Sequence, residues 1–141
     1  MRLIFDPATL RQSRSGSITG VICYDFGEQR QFPAPDWNDF VVVVLNWWIA
    51  ALEEMTAGSQ QVKFQFMDGP YWITAVPQGE GGLLLNCIED RRDAGRLFEV
   101  LVTECDLRRE LMGAARNVLR ACATAGIESS ELNELRTRLR D

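Results

Sequence analysis

Residues 40–52 read FVVVVLNWWIAAL, thirteen positions of which only Asn46 is polar, and no other stretch constrains the chain as much. Taken alone, residues 41–45 have the β-branched character of a strand. The apolar run continues through Trp47, Trp48, Ile49 and Leu52 without a breaking residue, and strands seldom exceed ~8 residues, so length predicts a helix. It should end near Met55, ahead of Ala57 and Gly58. Its apolar residues occupy nearly the whole circumference, the pattern of a helix buried on all sides. The run falls well short of the ~20 residues that cross a membrane. Nor does the stretch after Met1, interrupted by Arg2, Asp6 and Pro7, contain the core of a secretory signal. A cytoplasmic protein without a membrane partner is expected. At the helix start, Asp36 is expected as N-cap with Asp39 at N3, and Pro35 and Phe40 as a hydrophobic staple.

Around this helix the chain punctuates itself as hairpins. Residues 3–5 and 17–26 are strand candidates, with 12–17 as loop and residues 29–32 returning after a Gly27-Glu28 turn. Val62, Phe64 and Phe66 alternate with Gln61, Lys63 and Gln65 before Met67-Asp68-Gly69-Pro70. Closing this hairpin with Phe66 opposite Tyr71 places Phe64 opposite Ile73 and Val62 opposite Ala75, so one face becomes uniformly apolar. Pro70 has no amide hydrogen, which favours a four-residue loop. Residues 77–82 form the next turn, 83–88 a strand, 89–95 a charged loop and 97–102 a last strand. Asp106 is expected to cap a long helix with Leu107, Leu111, Ala114, Val118, Cys122 and Ala125 on one stripe, and Gly126 to end it. Ser129 or Ser130 then caps a final helix carrying Leu132, Leu135 and Leu139. The sum is an α+β fold in one domain of 141 residues, an antiparallel sheet of six to seven strands around one central helix, with two C-terminal helices.

Histidine is absent, which removes the residue best suited to proton transfer near neutral pH and the commonest metal ligand. Cys23, Cys87, Cys105 and Cys122 contain no C-x-x-C pair, so four small buried hydrophobes are expected in place of a zinc or dithiol site. No catalytic residue, metal or cofactor is expected. Gln78-Gly79-Glu80-Gly81-Gly82 resembles a phosphate loop in glycine content only, since an acidic residue occupies its centre. Glu53-Glu54, at the end of the central helix where the dipole disfavours carboxylates, is read as a solvated face, with a partner there worth looking for.

The net charge of −5 is unevenly distributed: residues 36–90 hold one lysine against eight acidic residues, net −7, and the flanking parts are nearly neutral. Such a segment repels phosphate backbones, which argues against nucleic acid, and steers encounter with a basic protein. Trp37, Trp47, Trp48, Tyr71 and Trp72 fall in the same segment. Adjacent helical residues point ~100° apart, so one of Trp47 and Trp48 should reach the surface. The candidate binding set is Asp36, Asp39, Asp68, Glu80, Glu89 and Asp90 as an acidic surface, with Tyr71 and Trp72 as apolar anchors.

Residues 32–40, FPAPDWNDF, leading into an apolar helix with Trp47-Trp48 and then into FMDGPY at 66–71, resemble a pattern in small bacterial immunity proteins. These accompany polymorphic toxins, including those of contact-dependent growth inhibition. The similarity covers residues 17–76. It implies a non-enzymatic cytoplasmic inhibitor that binds the C-terminal domain of a cognate toxin. The alternative from another class is a structural or regulatory subunit that dimerises through a sheet edge or through Leu132, Leu135 and Leu139. A third is a hydrolase working with carboxylates alone.

Overall fold

The computed structural model describes residues 1–90 and 95–140. Its eight strands and three helices form an α+β fold with two antiparallel sheets. The first sheet contains β1 (Arg2–Gln12), β2 (Ile18–Asp25), β3 (Gln31–Phe32) and β4 (Asn38–Asp39), with β2 central and pairing with all three others. The second is the meander β5 (Val62–Gln65), β6 (Tyr71–Gln78), β7 (Gly82–Glu89) and β8 (Arg96–Thr103). Between the two lies α1 (Val41–Thr56), and α2 (Glu104–Ala125) and α3 (Ser130–Arg140) follow the second sheet.

The helical reading of the valine run holds. Val41, Val42, Val44, Leu45, Trp48, Ile49 and Leu52 are all buried, so most of the circumference of α1 is core. Trp48 is completely buried and Trp47 is 42% exposed, the division their angular separation requires. The Trp48 ring packs on Tyr24 of β2 and Phe66 at centroid distances of 5.2 and 5.1 Å, and its Nε1 donates to the Gln65 carbonyl at 2.8 Å. One indole thus ties both sheets to the helix. Phe26 and Phe32 continue the aromatic seam onto Phe98 of β8. Such edge-to-face pairs each add about 0.5–1.5 kcal/mol beyond burial.

The hairpin register agrees with expectation: Val62 opposes Ala75 and Phe64 opposes Ile73, and the Phe66 amide donates to the Tyr71 carbonyl at 3.2 Å across the four-residue loop. Five expectations need correction. One sheet of six to seven strands is two sheets, because α1 intervenes between β4 and β5. The first strand extends to Gln12, past Pro7, since the pairing with β2 shifts between Asp6 and Arg11 and a bulge on an edge strand accommodates proline. Asp36 does not cap α1. Residues 38–39 add a short strand to β2, and the helix starts after Phe40 with no side-chain cap. Thr103, not Asp106, caps α2, its Oγ1 accepting from the Asp106 amide at 3.0 Å. Ala125 lies in the exposed last turn of α2 rather than on the buried stripe.

Gly126, in the left-handed region at φ 71°, ends α2, and Ser129 accepts from the Leu132 amide at 3.1 Å. Leu132 and Leu135 are buried within the monomer, where α3 packs on α1, so they are not a dimer seam. Asn46, the polar exception in the valine run, donates from Nδ2 to the Glu131 carbonyl at 3.0 Å and fastens the start of α3 to α1. The charged loop expected at 89–95 falls mostly on residues outside those described. Among the described residues no helix is long and apolar enough to cross a membrane.

Candidate functional site

Asp39 is the most informative of the eight candidate residues, because it is only 1% exposed. Pairing of β4 with β2 turns it inward, and three donors converge on its carboxylate. Trp37 Nε1 donates to Oδ2 at 2.9 Å, the Phe40 amide to Oδ1 at 2.7 Å, and the Asp68 amide to Oδ2 at 3.3 Å. Burial pushes its pKa above the ordinary carboxylate value, while these hydrogen bonds pull it back down. Asp39 is therefore a structural tether between two loops and is not part of an exposed acidic surface, which corrects its assignment.

The tether sets the position of what surrounds it. The Trp37 ring packs edge-on against Tyr71 at 5.2 Å, and Tyr71 packs against Phe32 at 5.6 Å. Gly69 sits directly under Trp37: a Cβ there would lie 2.9 Å from Cη2, and the backbone φ of +78° is one that glycine adopts without strain. The Asp90 amide donates to the Pro70 carbonyl at 2.7 Å, and Glu89 pairs with Tyr71 across the strands. Asp36, immediately before Trp37, has a left-handed backbone at φ 57° and is exposed. Asp36, Asp68, Glu89 and Asp90 are thus gathered at one end of the molecule around Trp37 and Tyr71. Among the described residues, Asp36, Asp68 and Asp90 are in no ion pair.

Glu80 and Trp72 are not in this group. Glu80 lies in the β6–β7 turn, eight residues of strand away from Tyr71, a separation of about 25 Å at ~3.3 Å per residue. It borders a hollow with Thr103, Glu104, Cys105 and Arg108 at the opposite end. Trp72 is the chain neighbour of Tyr71, and side chains alternate along a strand, so it projects from the other face of the second sheet. There Lys63 Nζ lies 4.3 Å from its ring centroid. The two anchors expected to act together face opposite ways.

Two further expectations are corrected in part. Glu53 finds its cation in Arg138 of α3, whose Nη1 lies 3.3 Å from Oε2 while Nη2 holds Glu134 at 3.0 Å. Cys23, Cys87 and Cys122 are buried, but Cys105, in the first turn of α2, is exposed. Burial raises all three buried thiols, Cys87 to about 12. Trp37 and Gly69 are the members of the site that sequence reasoning missed. A lone indole between two aspartates in a proline-rich loop was the available signal for Trp37. Nothing local marked Gly69 as its seat. No family model, curated protein or solved structure matches this chain.

Proposed function

We propose that the protein is a non-enzymatic immunity protein that binds a basic toxin domain through the end bearing Asp36, Asp68 and Asp90 beside Trp37 and Tyr71. The observation that carries this reading is the tether: one buried carboxylate holds the loops of Trp37 and Asp68 in fixed relation, leaving exposed carboxylates on a preorganised frame. A rigid anionic surface loses little conformational freedom on binding and attracts a cationic partner over long range. The absence of histidine from the sequence and the resemblance of residues 17–76 to immunity proteins support the same reading. Glu80 and Trp72 do not belong to this surface.

The test is calorimetric and stopped-flow titration against the C-terminal toxin fragment encoded immediately upstream, at low and high salt. Tight stoichiometric binding should result, with an association rate that falls about tenfold or more as salt rises. Asp68→Lys and Asp90→Lys should slow association, and Glu80→Lys should leave it nearly unchanged. Equal effects of all three would remove the assignment to this end, and no binding to a folded fragment would remove the function.

A further inference from the structure

The second sheet has two faces with opposite fates. Its inner face, with Phe64, Ile73, Ala75, Leu83, Leu85 and Cys87, is part of the core. Its outer face has no helix over it among the described residues, although apolar side chains stand there among the polar ones. Leu101 is 67% exposed and Leu97, the bulge residue of β8, is 47% exposed. Trp72, Val76, Leu84 and Ile88 on the same side are half-buried.

We propose that this outer face is a homodimer interface, in which two copies pack face to face about a two-fold axis running along the strands between β6 and β7. The register shows why the occupant is a second copy. Rows across the sheet run Lys63, Thr74, Asn86, Glu99 and, one row on, Gln65, Trp72, Ile88, Arg96. Rotation about this axis lays β5 over β8 of the partner and β6 over β7, keeping each row in place. Lys63 then meets the partner's Glu99 and Trp72 meets the partner's Ile88, while Thr74 is already buried within its own sheet. In the following row Val76 meets the partner's Leu84. A self-complementary surface of this kind is what an isologous contact requires. An axis across the strands through this row would instead set Lys63 against Lys63 and Glu99 against Glu99, and like charges oppose that arrangement.

Glu99 already holds Arg96 at 2.9 Å, so the arriving Lys63 completes an alternating row of cation, carboxylate and cation. The face bears two cations and one carboxylate in a chain of net charge −5, so it offers no attraction to a basic partner. Three strands of eight residues and β5 of four, at ~3.3 Å per residue and ~4.8 Å between strands, span about 440 Å² per copy. Two copies cover about 900 Å², the size of a weak, reversible contact, with the sheets ~10 Å apart. The inference is independent of the toxin-binding reading, which uses the other end of Tyr71.

Sedimentation equilibrium of the full chain from about 1 to about 100 µM tests it. The mass should rise from 16.0 kDa towards twice that value. Lys63→Glu and Glu99→Lys should each weaken the dimer about tenfold or more, because each sets like charges in opposition twice per dimer, and the double exchange should restore it. Both side chains are exposed, and thermal unfolding checks that the fold is retained. A mass of 16.0 kDa throughout, or a dimer indifferent to the single reversals, overturns the proposal.

Discussion

Tyr71 and Trp72 are adjacent in the chain, and the regions they belong to solve opposite problems. At the loop end around Tyr71, polar groups that the fold removes from water satisfy one another: an indole N–H and two amides all end on the Asp39 carboxylate. On the outer face around Trp72, apolar groups stay partly in contact with water, and the Lys63 ammonium lies over the Trp72 ring. The first region is stiff because its donors have one shared acceptor. The second has no helix over it among the described residues, and in the proposed dimer a second copy would cover it. A docking surface for a charged partner thus differs from one for an apolar partner in what holds it together as well as in sign.

Substitution should break this contrast most strongly at Tyr71. Tyr71→Ala empties a position touched by Phe32 and Trp37 and should cost about 3 kcal/mol in urea unfolding. Asp39→Asn keeps one acceptor but turns an amide donor towards donors, and should cost about 2 kcal/mol with a change in tryptophan emission as Trp37 is released. Gly69→Ala drives a methyl into Trp37 at a left-handed position and should cost about 1–2 kcal/mol. Trp72→Ala should cost the monomer less than Tyr71→Ala, about 1 kcal/mol, because its ring lies on the outer face of the sheet under the Lys63 side chain and outside the core. A Trp72→Ala loss equal to that of Tyr71→Ala would abolish the distinction between the two regions.

The contrast sharpens with pH. Asp39 has a raised pKa in the folded state, so the native protein binds its proton more tightly than the unfolded chain does. Its contribution to stability is full below the ordinary value of 3.8 and is lost as pH rises through the raised pKa. The deficit of Asp39→Asn relative to the parent should therefore be largest in acid and narrow towards neutrality, read from urea midpoints across pH 3–7. The smallest effect concerns the thiols. Cys105 should react with an aromatic disulfide in the native state, whereas Cys87, one residue before the half-exposed Ile88 but on the buried face of β7, should react only on unfolding.

Much of the fold was legible in local pattern. The period-two alternation from Val62 onward, with Pro70 in the loop, was sufficient to specify the β5–β6 register. Continuity of the apolar run past Leu45 was sufficient to make a valine-rich segment helical. Gly126 and Ser129 marked their helix ends because capping depends only on residues within a turn. The site was less legible, and Asp39 shows the reason. An aspartate ahead of a helix looks like a cap, and only the pairing of β4 with β2, between residues some twenty apart, turns it inward.

The sequence by itself determined most of the elements, the register of the central hairpin, the single buried helix and that one of Trp47 and Trp48 reaches the surface. Each follows from a periodicity of two or 3.6 that neighbouring residues carry. Tertiary structure alone decided that the strands split into two sheets, that Asp39 is a tether, that Glu80 lies at the far end, that Trp47 and not Trp48 is exposed, and that, among the described residues, one sheet face is left without a helix. Those outcomes depend on which elements meet across long loops, and a side chain's role as surface, core or anchor is settled by what packs against it, which no local pattern encodes.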